Sequence, residues 1–168
     1  AERYGPDITP ETPLLSWSMA KSVTHSLVGI LVAQGRLELD TPAPIKAWQT
    51  DARDPRSRLT LRHLLRMTDG LDFNEEYTLD ETGESHGPED PGWSHGIVLL
   101  CGAGAGDGAD YAAARPARHK PGTTFNYSSG TTNIVARIIG DLIGEPEEMK
   151  AWMNDVLFHP IGIWSAKP

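Results

Sequence analysis

Ser18-Met19-Ala20-Lys21 sets a hydroxyl and an amine three residues apart where an apolar helix begins. Positions i and i+3 share a helix face, so Lys21 is expected to lie over the Ser18 oxygen. A serine hydroxyl is a weak nucleophile until a base takes its proton. A lysine partly shielded from water gives up some of its preference for the charged form and can be that base. The free N–H groups of a helix start also favour the negative charge that develops when a hydroxyl attacks a carbonyl. The chemistry this pattern suggests is acyl transfer through Ser18. A helix-entry serine beside a solvated lysine is the plain alternative.

Tyr127-Ser128-Ser129 is the second candidate, between Pro121-Gly122 and a helix expected from Gly130, and Tyr127 lies 109 positions after Ser18. A phenol beside a positive charge releases its proton more readily and can exchange it with a nucleophile or a leaving group. Ser129 could hydrogen-bond the lysine or a substrate. Loop-borne Trp17 and Trp93 are candidates for substrate contact, whereas Trp152 reads as core.

The elements that must carry these groups follow from periodicity. Val23, Leu27, Ile30 and Leu31 recur at helical spacing from Met19 to a stop at Gly35; apolar on several sides, this helix is expected to be central and buried. Thr60 can cap a second helix through Leu61, Leu64, Leu65 and Met67, ended by Asp69-Gly70. Trp48 to Arg58 reads as a polar loop. Residues 72–96, rich in acidic residues, Gly and Pro, read as a long surface excursion of the kind that shapes a site. A short helix over Ala109–Arg115 stops at Pro116. A strong helix over Gly130–Ile143 turns Ile134, Val135, Ile138, Ile139 and Leu142 inward. A last one, begun by Pro146, runs through Met149, Trp152, Met153, Val156 and Leu157.

Composition limits the function. The 168 residues suffice for one domain with a core, and 39% apolar with 23% charged residues is ordinary for a globular chain. A net charge of −8 without a basic cluster argues against a nucleic-acid partner. The longest apolar run, around Leu27–Ala33, is too short to span a membrane. The single cysteine, Cys101, allows neither an internal disulfide nor a cysteine zinc cage. His86, Glu89 and His95 lack metalloprotease spacing and read as solvated loop residues, so no metal is expected. His25 and His63 read as packing or hydrogen-bonding residues on helices. Gly104-x-Gly106-x-x-Ala109, after Ile97–Leu100 as a possible strand, fits a relaxed dinucleotide fingerprint. Pro116 ends the next helix too soon and no acidic residue follows at the right distance, so a glycine-rich loop is the better reading and no cofactor is expected.

Four blocks in order carry a resemblance. Leu15-Ser16-Trp17-Ser18-Met19-Ala20-Lys21-Ser22 resembles the nucleophile region of the serine β-lactamases and penicillin-binding proteins. Leu61-Arg62-His63-Leu64-Leu65-Arg66-Met67-Thr68-Asp69-Gly70-Leu71, Pro121-Gly122-Thr123-Thr124-Phe125-Asn126-Tyr127-Ser128-Ser129 and Phe158-His159-Pro160-Ile161-Gly162-Ile163 are similar to later segments of the class C and esterase-like branch. The Tyr-Ser-Ser form and its Ser-Gly-Thr-Thr-Asn continuation look most like the 6-aminohexanoate-dimer hydrolases.

The resemblance implies an α/β fold of the β-lactamase/transpeptidase type. Ser18 would be the acylated nucleophile, Lys21 its proton partner and Tyr127 the second acid/base, and small amides or esters would be the substrates. Many relatives carry Asn two positions after the Tyr. Ser129 stands there in this chain, which implies less affinity for penicillins. The family's late Lys-Thr-Gly or His-x-Gly strand and its early strands are not among the 168 residues. The expectation is therefore a single-domain helical lobe, residues 1–168, read as an internal piece of a longer protein. The alternatives are a D-alanyl-D-alanine carboxypeptidase or β-lactamase and, from another class, a non-catalytic interaction or peptide-binding module. Substrate, compartment and oligomeric state are not set by the sequence.

Overall fold

The computed structural model describes residues 2–75, 94–101 and 106–168. Trp93, His86, Glu89, Gly104 and Ala105 lie outside the described residues. Among the described residues six α-helices follow in order: α1 Ala20–Ala33, α2 Leu61–Leu65, α3 His95–Cys101, α4 Gly108–Ala113, α5 Ser129–Ile143 and α6 Pro146–Met153. Among the described residues, β pairing is confined to the isolated bridges Pro42–Thr60 and Leu71–Ala117. The sequence reading of a helical lobe fits this; among the described residues the sheet of an α/β fold is not seen.

α5 organises the molecule. Ile134, Val135, Ile138 and Ile139 bury one stripe of it, as their spacing dictates. Leu27, Val28 and Leu31 of α1, Leu61 and Leu64 of α2 and Ala112 and Ala113 of α4 join the same core. Leu142, expected inside, is 38% exposed. It falls on the flank of the buried stripe, in the last turn of α5.

Two other expectations are corrected. α1 is not buried all round: only Leu27, Val28 and Leu31 are fully buried, and Ser22, Ser26 and Gly29 face solvent. Trp48 is no loop residue but is wholly buried on a 3₁₀ turn, its indole N–H donating to the Ala113 carbonyl at 2.9 Å. The polar residues around it concealed this, because a single anchoring aromatic has no periodicity. Residues 97–100, the possible strand of the rejected fingerprint, form part of α3; a run of four apolar residues fits either state.

α2 is shorter than expected and ends at Leu65. Thr60 and His63 form its cap reciprocally: the His63 N–H donates to Thr60 Oγ1, and the Thr60 N–H donates to His63 Nδ1. Met67 then takes a left-handed conformation, with φ 53°. This turns the chain into residues 67–73, which run beside residues 116–126.

Candidate active site

Ser18 belongs to a 3₁₀ turn, Trp17–Met19, that leads into α1. Trp17 has φ 46°, a left-handed backbone that side-chain-bearing residues avoid at a cost of about 1–2 kcal/mol. The turn holds Ser18 at the mouth of an open cleft of about 580 Å³, lined among others by Trp17, Lys21, Glu75, Tyr127, Ser129 and Asn133. One helical turn later Lys21 returns over it, and its Nζ donates to Ser18 Oγ at 3.1 Å.

Tyr127 reaches the same oxygen from the other half of the chain. Its hydroxyl donates to Ser18 Oγ at 2.8 Å. Its neighbours explain how a loop residue is aimed so well. The Asn126 N–H donates to the Met67 carbonyl at 2.9 Å, and the Asn126 side-chain amide donates to the Phe73 carbonyl at 2.7 Å. On the other side buried Ser128 caps α5, accepting from the Thr131 N–H at 2.9 Å. With residues 126 and 128 tied, the ring of Tyr127 is left pointing at Ser18. Lys21 Nζ lies 5.0 Å from the centre of that ring, so the cation also faces its π surface.

Ser129, the first residue of α5, accepts from Lys21 Nζ at 2.9 Å. Its hydroxyl donates to Glu75 Oε1 at 2.6 Å, and its backbone N–H donates to Glu75 Oε2. The carboxylate sits where a helix start presents an N–H without an intrahelical partner and where the helix dipole favours an anion. Lys21 is thus held between Ser18 and Ser129, and Ser129 links it to a carboxylate.

Glu75 was missed by the sequence reading. Its only signal is membership of the acidic 72–96 excursion, where many carboxylates look alike. Asp69 was read only as a helix stop. It is buried, accepting from the Leu71 N–H at 2.8 Å and from the Thr131 hydroxyl at 2.9 Å, and so ties the turn after α2 to the first turn of α5. Burial pushes its pKa above the usual carboxylate value, against those hydrogen bonds and the nearby His63.

Of the expected site residues, the structure brings Ser18, Lys21, Tyr127 and Ser129 together, with Trp17 on the cleft wall at 72% exposure. His95 was expected to be a solvated loop residue; it is buried at the start of α3. His63 serves the α2 cap, and His25 is an exposed residue of α1. Among the described residues no group of His, Cys, Asp and Glu could hold a metal ion, and no helix is long and apolar enough to cross a membrane.

Ser18 Oγ is thus held between an amine and a phenol at the entrance to α1. The chain belongs to the Beta-lactamase family, which matches residues 1–167. No curated protein matches it in sequence. Its fold is similar to that of the D-amino acid amidase from Ochrobactrum anthropi SV3, at 22% identity and a TM-score of 0.54 over 86% of this chain and 38% of that one. The same amidase complexed with L-phenylalanine amide gives 20% identity and a TM-score of 0.55 over 90% of this chain and 37% of that one. The chain thus spans little more than a third of the length of these neighbours.

Proposed function

We propose that Ser18 is the nucleophile of a serine hydrolase that opens small amides or esters through an acyl-enzyme. The observation that carries this reading is the convergence of Lys21 Nζ and Tyr127 OH on Ser18 Oγ, at 3.1 and 2.8 Å, from segments 109 residues apart. Hydrogen-bond contact is the distance that proton transfer requires.

In the proposed reaction Ser18 Oγ bonds to the carbonyl carbon while its proton passes to Lys21 in the uncharged form. The carbonyl oxygen becomes an oxyanion, with the Ser18 N–H as one donor to it. The C–N or C–O bond then breaks as Tyr127 gives a proton to the departing amine or alcohol. Water then attacks the acyl carbon and gives a proton to the Tyr127 phenolate; the Ser18 Oγ–acyl bond breaks as Lys21 returns its proton to Ser18 Oγ, which releases the acid and restores all three residues. Ser129 and Glu75 hold Lys21 in place throughout.

The Tyr127-Ser128-Ser129 sequence and its continuation to Asn133 support a place in the class C and esterase-like branch, near the 6-aminohexanoate-dimer hydrolases. The D-amino acid amidase likeness supports amides, amino acid amides among them. At 129 a hydroxyl stands in place of an amide, which would offer a separate donor and acceptor in one plane. This favours linear amides and simple esters over β-lactams, and so the hydrolase reading over a β-lactamase or carboxypeptidase. The test is covalent. A fluorophosphonate should add one phosphonyl group to Ser18, read by mass spectrometry of the peptide, and should add none to Ser18→Ala. Labelling at another residue, or none, would leave the non-catalytic binding module as the better reading.

A further inference from the structure

Asn74 and His95 hold each other at two points. The His95 N–H donates to the Asn74 carbonyl, and the Asn74 N–H donates to Nδ1 of the His95 ring, both at 2.7 Å. The ring is 6% exposed, with the Phe73 ring centroid 5.3 Å away and that of Tyr111 6.1 Å away. Asn74 is bonded directly to Glu75, whose carboxylate takes the N–H and the hydroxyl of Ser129. Ser129 accepts from Lys21. A continuous path of covalent and hydrogen bonds therefore runs from a buried imidazole to the amine beside Ser18.

We propose that His95 is a positioning residue for this site: a neutral imidazole whose Nδ1 fixes the backbone at Asn74 and so seats the Glu75 carboxylate on Ser129. Its consequence for chemistry at Ser18 rests on the hydrolase reading; the clamp itself does not. An Nδ1 that accepts carries no proton, so the ring proton is on Nε2. Nε2 is the one buried side-chain N or O atom without a hydrogen-bond partner among the described residues. A leucine or phenylalanine would fill this space without that desolvation penalty, so packing alone does not explain a histidine here.

Protonation would break the clamp. An Nδ1–H would face the Asn74 N–H, donor against donor, at a separation that suits only a donor and an acceptor. The surroundings keep the ring neutral. Burial is the main cause that lowers its pKa from the ordinary 6.5, and the Arg115 guanidinium adds to it. Asp72 opposes them, and Arg115 Nε is held by the Asp72 carbonyl at 3.1 Å. Among the described residues Tyr111, whose phenol burial pushes up, is the remaining ionisable group beside the ring. His95 therefore stays neutral below the usual histidine range, and its hold on the Asn74 N–H is lost only when acid finally charges the ring.

The experiment is an NMR titration of the ¹⁵N-labelled 168-residue chain between about pH 5 and 8, following histidine ring nitrogens and backbone amides. At neutral pH the His95 ring should show the Nε2–H tautomer. On acidification the Asn74 and Ser129 amides should shift with the His95 midpoint, below about 6.5. His95→Asn puts a carbonyl oxygen near the place of Nδ1 and cannot be protonated; it should keep the neutral-pH Ser129 resonance and lose that titration. His95→Leu should displace the Ser129 resonance already at neutral pH. An Nδ1–H tautomer, a Ser129 amide indifferent to the His95 titration, or a Leu variant behaving like the Asn variant would overturn the clamp. Should the Leu variant not fold, the wild-type titration decides alone. Fluorophosphonate labelling separates the two readings: an unlabelled Ser18 with coupled titrations sinks the hydrolase alone, and a labelled Ser18 with uncoupled ones sinks the clamp alone.

Discussion

Ser129 stands between an amine and a carboxylate, its oxygen accepting from Lys21 and its proton going to Glu75. Without it the amine loses one of its two anchors and is free to leave Ser18. Ser129→Ala should lower kcat/KM for a p-nitrophenyl ester by about 10- to 100-fold, in the range of lost acid–base assistance, with most of the change in kcat. Ser18→Ala should remove the covalent route outright, a loss of roughly 10³-fold or more. Activity within about threefold of wild type after Ser18→Ala would place the chemistry elsewhere. With Ser18→Ala as the blank, the ester or a short ω-amino-acid amide should be cleaved with higher kcat/KM than a penicillin. Penicillin turnover that matches the ester would favour the β-lactamase reading.

At the scale of elements, the site depends on how closely the start of α5 approaches the segment after α2. Gly130 permits the approach: a methyl there would run into the Phe73 ring and come within 2.9 Å of Ala112 Cβ. Gly130→Ala should cost about 1–3 kcal/mol, the usual range for overpacking, read by denaturant unfolding. Phe73→Leu in the same chain should recover part of it. Asp69 ties the same two segments from inside. Asp69→Ala leaves the Leu71 N–H and the Thr131 hydroxyl without their acceptor and should cost roughly 2–4 kcal/mol. Asp69→Asn keeps an acceptor for Leu71 and should be far milder. The pH dependence has a definite sign. Because burial raises the Asp69 pKa in the folded state, its favourable contribution is complete below about 3.8 and is lost as pH rises through the folded value. Wild type should therefore gain stability relative to Asp69→Asn as pH falls toward 3.8.

For the molecule as a whole, Trp48 is the anchor that joins its irregular half to its helices. The indole bonds the Ala113 carbonyl at the end of α4, and Arg56 donates to the Ala113 and Arg115 carbonyls at 3.0 and 3.1 Å. Trp48→Ala should destabilise by about 3–5 kcal/mol, enough to unfold a domain of ordinary stability at moderate denaturant. Trp48→Phe should retain most of the packing and lose only the hydrogen bond, about 1 kcal/mol. A thermal melt of the two variants distinguishes these outcomes.

The sequence by itself determined what is local. Three-residue spacing on a helix start put Lys21 over Ser18, and the period of Ile134, Val135, Ile138 and Ile139 set the buried stripe of α5. The ordered motif blocks identified the family. Tertiary structure alone decided what depends on distant segments meeting. The ties of Asn126 and Ser128 aim Tyr127, and the acidic stretch contributes Glu75 to the start of α5. Trp48, among polar neighbours in sequence, and His95, at the end of the acidic stretch, turn out to be buried. The physical reason is range. Helical periodicity and caps are encoded within a few residues, whereas burial of a lone Trp, Asp or His depends on surfaces brought together by long-range packing, which leave no periodic trace in the chain.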